Sequence, residues 1–205
     1  MLGDLFSAQK LGEMILSIPA VVWAITFHEF CHGYAAKRLG DPTAEREGRL
    51  SLNPLDHFDP VGALCLLFFH FGWAKPVPID TRYFRHPKRD IVIVSIAGAA
   101  GNVLTAFVCA QLFKFFPSLF SSWAAQEFIL IMIFVNLGLA AFNLIPIPPL
   151  DGSRVLYVFL PPSLLNFYYS LERFGMLVII ALIALGVLPY IMNPIMSVLF
   201  HLLLL

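Results

Sequence analysis

The sequence predicts an all-α polytopic membrane protein, and three observations lead to that prediction. Of its 205 residues, 59% are hydrophobic and 13% are charged, about half the charged share of a soluble domain. Several long stretches lack Asp, Glu, Lys and Arg, and a helix needs about 20 apolar residues to cross a bilayer. The 13 basic and 13 acidic residues balance, which leaves no basic field for nucleic acid. The expected surroundings are therefore a lipid bilayer.

Charge-free stretches predict five or six membrane helices. They run over residues 14–27, 61–74, 91–113, 128–150 and 174–205. The first crosses the bilayer only if its helix continues past His32. Gly186 and Pro189 divide the last stretch into a span that ends near Leu188 and a shorter helix.

The domain organisation follows from these helices. We expect one membrane-embedded domain over residues 1–205, with a core at about 10–160 and additional membrane helices at about 163–205. The stretch 61–73 is short for a full crossing, so it is expected to tilt, to thin the bilayer or to begin inside it.

The connections predict the orientation and a second type of structure. Nine basic residues concentrate in two connections, which is typical of cytoplasmic loops: Lys37, Arg38, Arg46, Arg49, Lys75, Arg82, Arg85, Lys88 and Arg89. The first helix should therefore end on the cytoplasmic side of the cell membrane.

Residues 48–53 alternate in polarity and residues 75–80 offer a second extended piece, which together predict a small β-hairpin or sheet at the membrane boundary. An ordinary polar loop is the alternative.

The central motif is HExxH, formed by residues 28–32 in the C-terminal half of the first predicted span. Residues four apart on a helix share a face, so His28 and His32 can reach one metal ion. Glu29 lies next to that face, where it can act as a general base on water. The motif therefore predicts a zinc site, which needs a third protein ligand.

The third ligand has to come from another segment. Glu45 and Glu47 are candidates, but they lie in what the pattern indicates is a solvated loop. Asp151 is the stronger candidate, because it follows a proline-rich break in an apolar stretch. Unwound backbone at membrane depth is tolerated only where it is buried in protein or lines a wet cavity, and a carboxylate there is a functional candidate.

Several motifs together resemble the site-2 protease family of intramembrane zinc metalloproteases. They are HExxH on a membrane helix, the GxxxN pattern of residues 98–102 and the Leu-Asp-Gly that ends residues 143–152. Residues 48–59 (GRLSLNPLDHFD) and 72–77 (GWAKPV) resemble its compact bacterial branch, and the resemblance covers about residues 10–160. It implies that His28, His32 and Asp151 hold one zinc ion and that Glu29 is catalytic.

The resemblance also implies an activity. The expected reaction is hydrolysis of a peptide bond in or near the transmembrane segment of a single-span membrane protein or peptide, either in signalling or in clearance of signal-peptide remnants. Family members often carry a PDZ or CBS domain, for which this sequence has no soluble stretch of sufficient length. No oligomeric state is predicted.

Two amide side chains are candidates for substrate binding, and two other functions are alternatives to proteolysis. Asn102 and Asn143 lie in apolar stretches and are candidates to bind the exposed substrate backbone, with helix-to-helix hydrogen bonding as the alternative for each. A membrane zinc transporter or channel would use the same His and Asp groups, but it would require further ligands spaced across the bilayer. A catalytically silent membrane scaffold is the third possibility.

Overall fold

The computed structural model describes residues 8–69 and 74–204, and these residues form eight α-helices. In chain order the helices are α1 (Ala8–Arg38), α2 (Thr43–Arg46), α3 (Pro60–Phe69), α4 (Pro87–Phe115), α5 (Trp123–Asn143), α6 (Asp151–Phe159), α7 (Pro162–Ala184) and α8 (Leu188–Leu204). Short 3₁₀ turns lie in three of the connections, at Pro54–His57, Thr81–Tyr83 and Pro117–Phe120. The all-α class is therefore confirmed.

Four of the described helices, α1, α4, α5 and α7, are long and apolar enough to cross a membrane. The multi-pass membrane class is confirmed, but the expected number of five or six membrane helices is too high for the described residues. Helices α3 and α8, in the other two predicted membrane segments, have 10 and 17 residues against the roughly 20 that a crossing needs. Residues 70–73 of the predicted stretch 61–73 lie outside the described residues. The predicted interruption near Leu188 is present between α7 and α8.

The predicted β-hairpin or sheet is wrong, because residues 8–69 and 74–204 contain no strand. Arg49 and Leu50 turn their backbone N–H groups back to the carbonyl oxygen of Ala44, after a turn at Gly48 with φ of +67°. In residues 75–80, prolines at 76 and 78 remove two backbone donors from one edge, and the N–H groups of Lys75 and Val77 bond to His57 O and to Glu29 instead of to a neighbouring strand. Alternating polarity in residues 48–53 therefore belongs to an irregular loop.

Separate hydrogen bonds from side chains and from the main chain, rather than a ladder, hold residues 74–80. Arg49 donates from Nη2 to the carbonyl oxygen of Lys75 at 2.7 Å, and the N–H of Lys75 donates to His57 O at 3.0 Å. At the other end, the N–H of Asp80 donates to Oδ2 of the fully buried Asp41 at 2.7 Å. This segment is held at both ends against the C-terminal part of α1 and the loop that follows it.

The core forms where α1, α4 and α5 pack against one another. Small residues such as Ala99, Ala106, Ala140 and Ala141 are buried at these contacts, so the helix backbones approach closely. Gly101 of α4 faces Cys31 of α1, and an added Cβ at position 101 would collide with the Cys31 sulfur. Close packing sets the register between α1, which carries HExxH, and α4.

The break between α5 and α6 brings Asp151 to this core. Helix α5 ends at Asn143, residues 144–150 turn, and Asp151 begins α6, which packs against α4. Helix α7 covers the turn at Gly175, where a Cβ would collide with the carbonyl oxygen of Pro148. The bare glycine therefore lets a spanning helix lie directly on the backbone that leads to Asp151.

We predict that Gly175→Ala lowers the thermal stability of the protein in detergent, because the added methyl meets backbone that cannot rotate away. Overpacking of this kind costs about 1–3 kcal/mol. Gly138→Ala in α5 is the matched control: the space around Gly138 is open within 4 Å, and alanine is the better helix former. Equal melting temperatures for the two variants would contradict the close approach of α7.

Candidate metal centre

Three side chains from two distant parts of the chain converge in the core. His28 and His32 lie one turn apart on α1, and their Nε2 atoms are 2.9 Å apart. Oδ2 of Asp151 lies 3.1 Å from each of these nitrogens. All three residues are buried, and they form a group that could hold one metal ion. The structure thus brings together the three residues that the sequence predicts as ligands.

A buried chain of amides fixes the protonation of His28. Asn102 of α4 donates from Nδ2 to Ala24 O and to Oδ1 of Asn136, each at 2.9 Å, so its own Oδ1 faces the ring. Asn136 of α5 is oriented in turn by donation from Nδ2 to Met132 O at 2.8 Å. Because Oδ1 of Asn102 only accepts, Nδ1 of His28 carries the proton that it donates over 2.7 Å.

His32 is oriented in the same way by the main chain. Its Nδ1 lies 2.7 Å from the carbonyl oxygen of Val94 in α4, which can only accept. In its neutral form, a ring with the proton on Nδ1 turns an unprotonated Nε2 towards Oδ2 of Asp151. The two Nε2 atoms and Oδ2 of Asp151 are then three acceptor atoms that repel one another. A proton relieves the repulsion between two of them, whereas a bound metal cation relieves the repulsion among all three. The donor set fits a metal ion on these grounds.

Gly98 of α4 provides the space in which the two rings meet. An added Cβ at this position would lie 2.5 Å from Nε2 of His32 and 2.6 Å from Nε2 of His28. Any side chain at residue 98 would thus press on both ligand nitrogens. The GxxxN pattern places Gly98 and Asn102 four residues apart on one helical face, so one turn of α4 gives room to the histidines and holds one of them.

Glu29 lies beside the metal group and is held by the main chain. Its Oε2 accepts a hydrogen bond of 2.9 Å from the N–H of Val77, in the extended residues 74–80. A cavity of about 310 Å³ opens next to it and is lined by His28, Glu29 and Asn143 together with apolar side chains of α5 and α7. A carboxylate, two imidazoles and open space therefore meet at one point.

The structure separates the remaining sequence candidates. Asn102 is fully buried and uses its oxygen and its Nδ2 within the protein, which favours the helix-to-helix alternative for this residue. Asn143 donates to Leu139 O within α5 and lines the cavity, so its role in substrate binding stays a prediction. Glu45 pairs with Lys37, and Glu47 is exposed after α2, so neither joins the metal group.

Three contributors to the centre were not assigned to it from sequence. Gly98 entered the prediction as the first residue of the GxxxN pattern, and its spacing from Asn102 was the available signal. Asn136 is one amide in an apolar stretch and lies outside any motif. The carbonyl oxygen of Val94 has no sequence signal, because every residue carries one.

The fold and the site together define a multi-pass membrane protein with a buried His-His-Asp metal centre and an adjacent glutamate, the arrangement of a metallohydrolase. The model of peptidase family M50 matches residues 118–185. YwhC, a predicted zinc metalloprotease of Bacillus subtilis, is 34% identical over 200 residues, which cover 95% of this chain and 91% of YwhC. The chain belongs to peptidase family M50.

Two further comparisons agree with this membership. Rip2, a predicted zinc metalloprotease of Mycolicibacterium smegmatis, is 30% identical over 181 residues, which cover 84% of this chain and 68% of Rip2. A predicted zinc metalloprotease of Methanocaldococcus jannaschii is 30% identical over 143 residues, which cover 69% of each chain. No solved structure matches the chain.

We predict that Asn102→Ala weakens metal binding about 10- to 100-fold, the usual cost of removing the partner that orients a histidine ligand. Affinity is measured by competition with a chelator of known strength. Asn143→Ala is the control, because Asn143 is an amide of α5 in the wall of the cavity beside Glu29 and it donates to Leu139 O, not to His28. Wild-type affinity in Asn102→Ala would show that the amide does not orient the ring.

We also predict that Gly98→Ala reduces bound metal per chain, with a loss of affinity of about tenfold or more because both rings must shift. Metal content after purification and chelator competition measure this loss. Gly138→Ala makes the same chemical change in another membrane helix, in open space, and should bind metal as the wild type does. Full metal content in Gly98→Ala would contradict the measured approach of the rings to residue 98.

Proposed function

We propose that this M50 peptidase is a zinc-dependent intramembrane endopeptidase. Its proposed reaction is hydrolysis of a peptide bond in or near the transmembrane segment of a single-span membrane protein or peptide. The observation that carries the proposal is the convergence of His28, His32 and Asp151 beside Glu29, with both histidines on a helix of spanning length. Signalling by intramembrane cleavage and removal of signal-peptide remnants are the two processes that such a reaction serves.

Zinc is the metal that this donor set supports best. Catalytic zinc takes three protein ligands from histidine and carboxylate and keeps a fourth position open. Two imidazole nitrogens and one carboxylate oxygen match that set, and the relatives YwhC and Rip2 are named as zinc metalloproteases. His28, His32 and Asp151 would hold the ion, which when bound polarises a peptide carbonyl and makes water acidic enough to react near neutral pH.

Glu29 is assigned the proton transfers. Its carboxylate takes the proton from the attacking water and returns it to the leaving amine. The N–H of Val77 holds Oε2 in place, so the second oxygen of the carboxylate remains for the water. Asn102 and Val94 O keep the protons of both rings on Nδ1, which leaves each Nε2 free to bind metal.

The cavity beside Glu29 suits an unwound apolar segment. Its wall consists mainly of apolar side chains, among them Leu139, Phe142 and Met176. A transmembrane substrate must open its own helix before a carbonyl can reach the metal, because helical peptide groups are hydrogen-bonded internally. Asn143 in the cavity wall is a proposed partner for one exposed peptide group of the substrate.

We place the centre nearer the cytoplasmic side of the cell membrane. His32 lies six residues before the end of α1, which is about 9 Å along the helix axis. The last turn of α1 contains the basic residues Lys37 and Arg38. Basic residues at the end of a spanning helix favour the cytoplasm. Water can then enter from that side without crossing the hydrocarbon core.

Proteolysis is a better match to the site than metal transport. Among residues 8–69 and 74–204, a single group of three or more potential donors lies close enough to hold a metal ion. A transport path needs successive binding sites along the bilayer normal, whereas this group lies at one depth. Glu29 lies beside the group, where a general base is required.

We predict that Glu29→Gln keeps zinc but lowers cleavage of a single-span substrate by about 100-fold or more, because general acid–base catalysis is lost. Asp151→Ala should lose zinc and activity together. Cleavage is followed by mass spectrometry, and bound zinc is measured on the same samples. Glu45→Gln is the matched control, since Glu45 is outside the centre and pairs with Lys37. Full cleavage by Glu29→Gln, or zinc flux into liposomes without cleavage, would contradict the proposed function.

A further inference from the structure

A second cavity adjoins the cavity beside Glu29, and the two share part of their walls. The second cavity measures about 540 Å³, within the range of roughly 300–1,000 Å³ typical of ligand sites. Residues 74–81 border both: Ala74 and Pro76 line the first cavity, and Val77 and Ile79 line the second. A peptide that follows this segment would pass from one cavity into the other.

Arg154 is the one described residue that lines both cavities. It lies on α6 three residues after Asp151, so both side chains project from nearly the same face of the helix. Arg154 is exposed, and its guanidinium makes no hydrogen bond or ion pair with any residue that the structure describes. A guanidinium without a partner among residues 8–69 and 74–204 therefore lines both cavities.

The second cavity differs chemically from the first. Three tyrosines, Tyr157, Tyr168 and Tyr169, line it together with Lys88 and Glu172. Two cations and one anion therefore face this space, counting Arg154. The nearby Asp80 adds little negative charge to the cavity, because Arg82 pairs with it at 2.6 Å. The balance favours an anionic ligand, whereas the wall of the first cavity is mainly apolar.

We propose that the second cavity binds an acidic side chain of the substrate, just outside the substrate's apolar segment, and that Arg154 is the residue that selects it. The inference rests on the proposed function and adds a substrate class to it: membrane segments with a carboxylate within a few residues of the cleaved bond. A guanidinium pairs with a carboxylate through two parallel hydrogen bonds, which gives geometric selectivity as well as binding energy. The apolar part of the same segment occupies the cavity beside Glu29.

The experiment uses the full-length protein in phosphatidylcholine nanodiscs and a single-span substrate whose cleavage site has been mapped. Glu, Gln or Lys is placed in turn at each of the six positions on either side of the cleaved bond. We expect Glu at one or two adjacent positions to raise kcat/KM about tenfold or more over Gln, the effect of one charged hydrogen bond. Arg154→Gln should remove that preference, and Arg154→Glu should reverse it in favour of Lys.

Controls separate selection from a structural effect. Arg85→Gln removes an exposed arginine that lines neither cavity, and it should keep the preference for Glu. Arg154→Gln should retain the bound zinc and the melting temperature of the wild type. A switch of preference from Glu to Lys in Arg154→Glu could not result from a disturbed fold, because misfolding would lower the cleavage of all substrates. Equal cleavage of the Glu, Gln and Lys substrates by the wild type, or an unchanged preference in Arg154→Gln, would overturn the inference.

Two further measurements complete the test. If Arg154 binds a lipid phosphate instead, its replacement will change cleavage only in phosphatidylglycerol nanodiscs and leave the Glu preference intact, which also overturns the inference. If the wild type cleaves no substrate, the proposed function fails. The binding of Glu and Gln peptides to Glu29→Gln, with and without Arg154→Gln, then decides the inference: tighter binding of the Glu peptide that depends on Arg154 supports it, and equal binding refutes it.

Discussion

The structure depends on bringing three electron-pair donors within about 3 Å of one another in the interior of a membrane protein. Two imidazole nitrogens of α1 face a carboxylate oxygen that is 119 residues away along the chain from His32 and 123 from His28. A metal ion can join this group when each ring keeps its proton on the outer nitrogen, which leaves the inner nitrogens free, and when the carboxylate lies within reach of both. Helices α4 and α5 meet the first requirement through Asn102, Asn136 and a backbone carbonyl.

Sequence reasoning reached the parts of this centre that depend on local periodicity. The four-residue spacing of His28 and His32 fixes their common face on any α-helix, and the prolines before Asp151 indicate a break inside an apolar stretch. The role of Gly98 depends on the register between α1 and α4, which periodicity within one helix does not determine. The strand prediction failed because it weighed side-chain alternation and not the missing N–H groups of Pro76 and Pro78.

Residues 74–80 connect the two chemical environments of the molecule. On one side this segment contacts Glu29 and borders an apolar cavity, and on the other it borders a cavity with tyrosines and basic residues. The buried Asp41 and Arg49 hold it from the loop after α1. A stretch without regular secondary structure is thus bonded to α1 and to the loop after it at several points, and its prolines leave few backbone groups that need partners.

The hydrogen bond that holds Glu29 comes from the main chain, and this affects how the site can vary during evolution. Substitution of Val77 by any residue other than proline keeps the N–H, so the donor itself does not depend on the side chain. The side chain of Val77 is nevertheless buried beside Gly33 of α1, and its size limits how closely this backbone approaches Glu29. Homologues can therefore preserve the contact with another small apolar residue at this position, whereas a larger side chain would push the donor away from the glutamate.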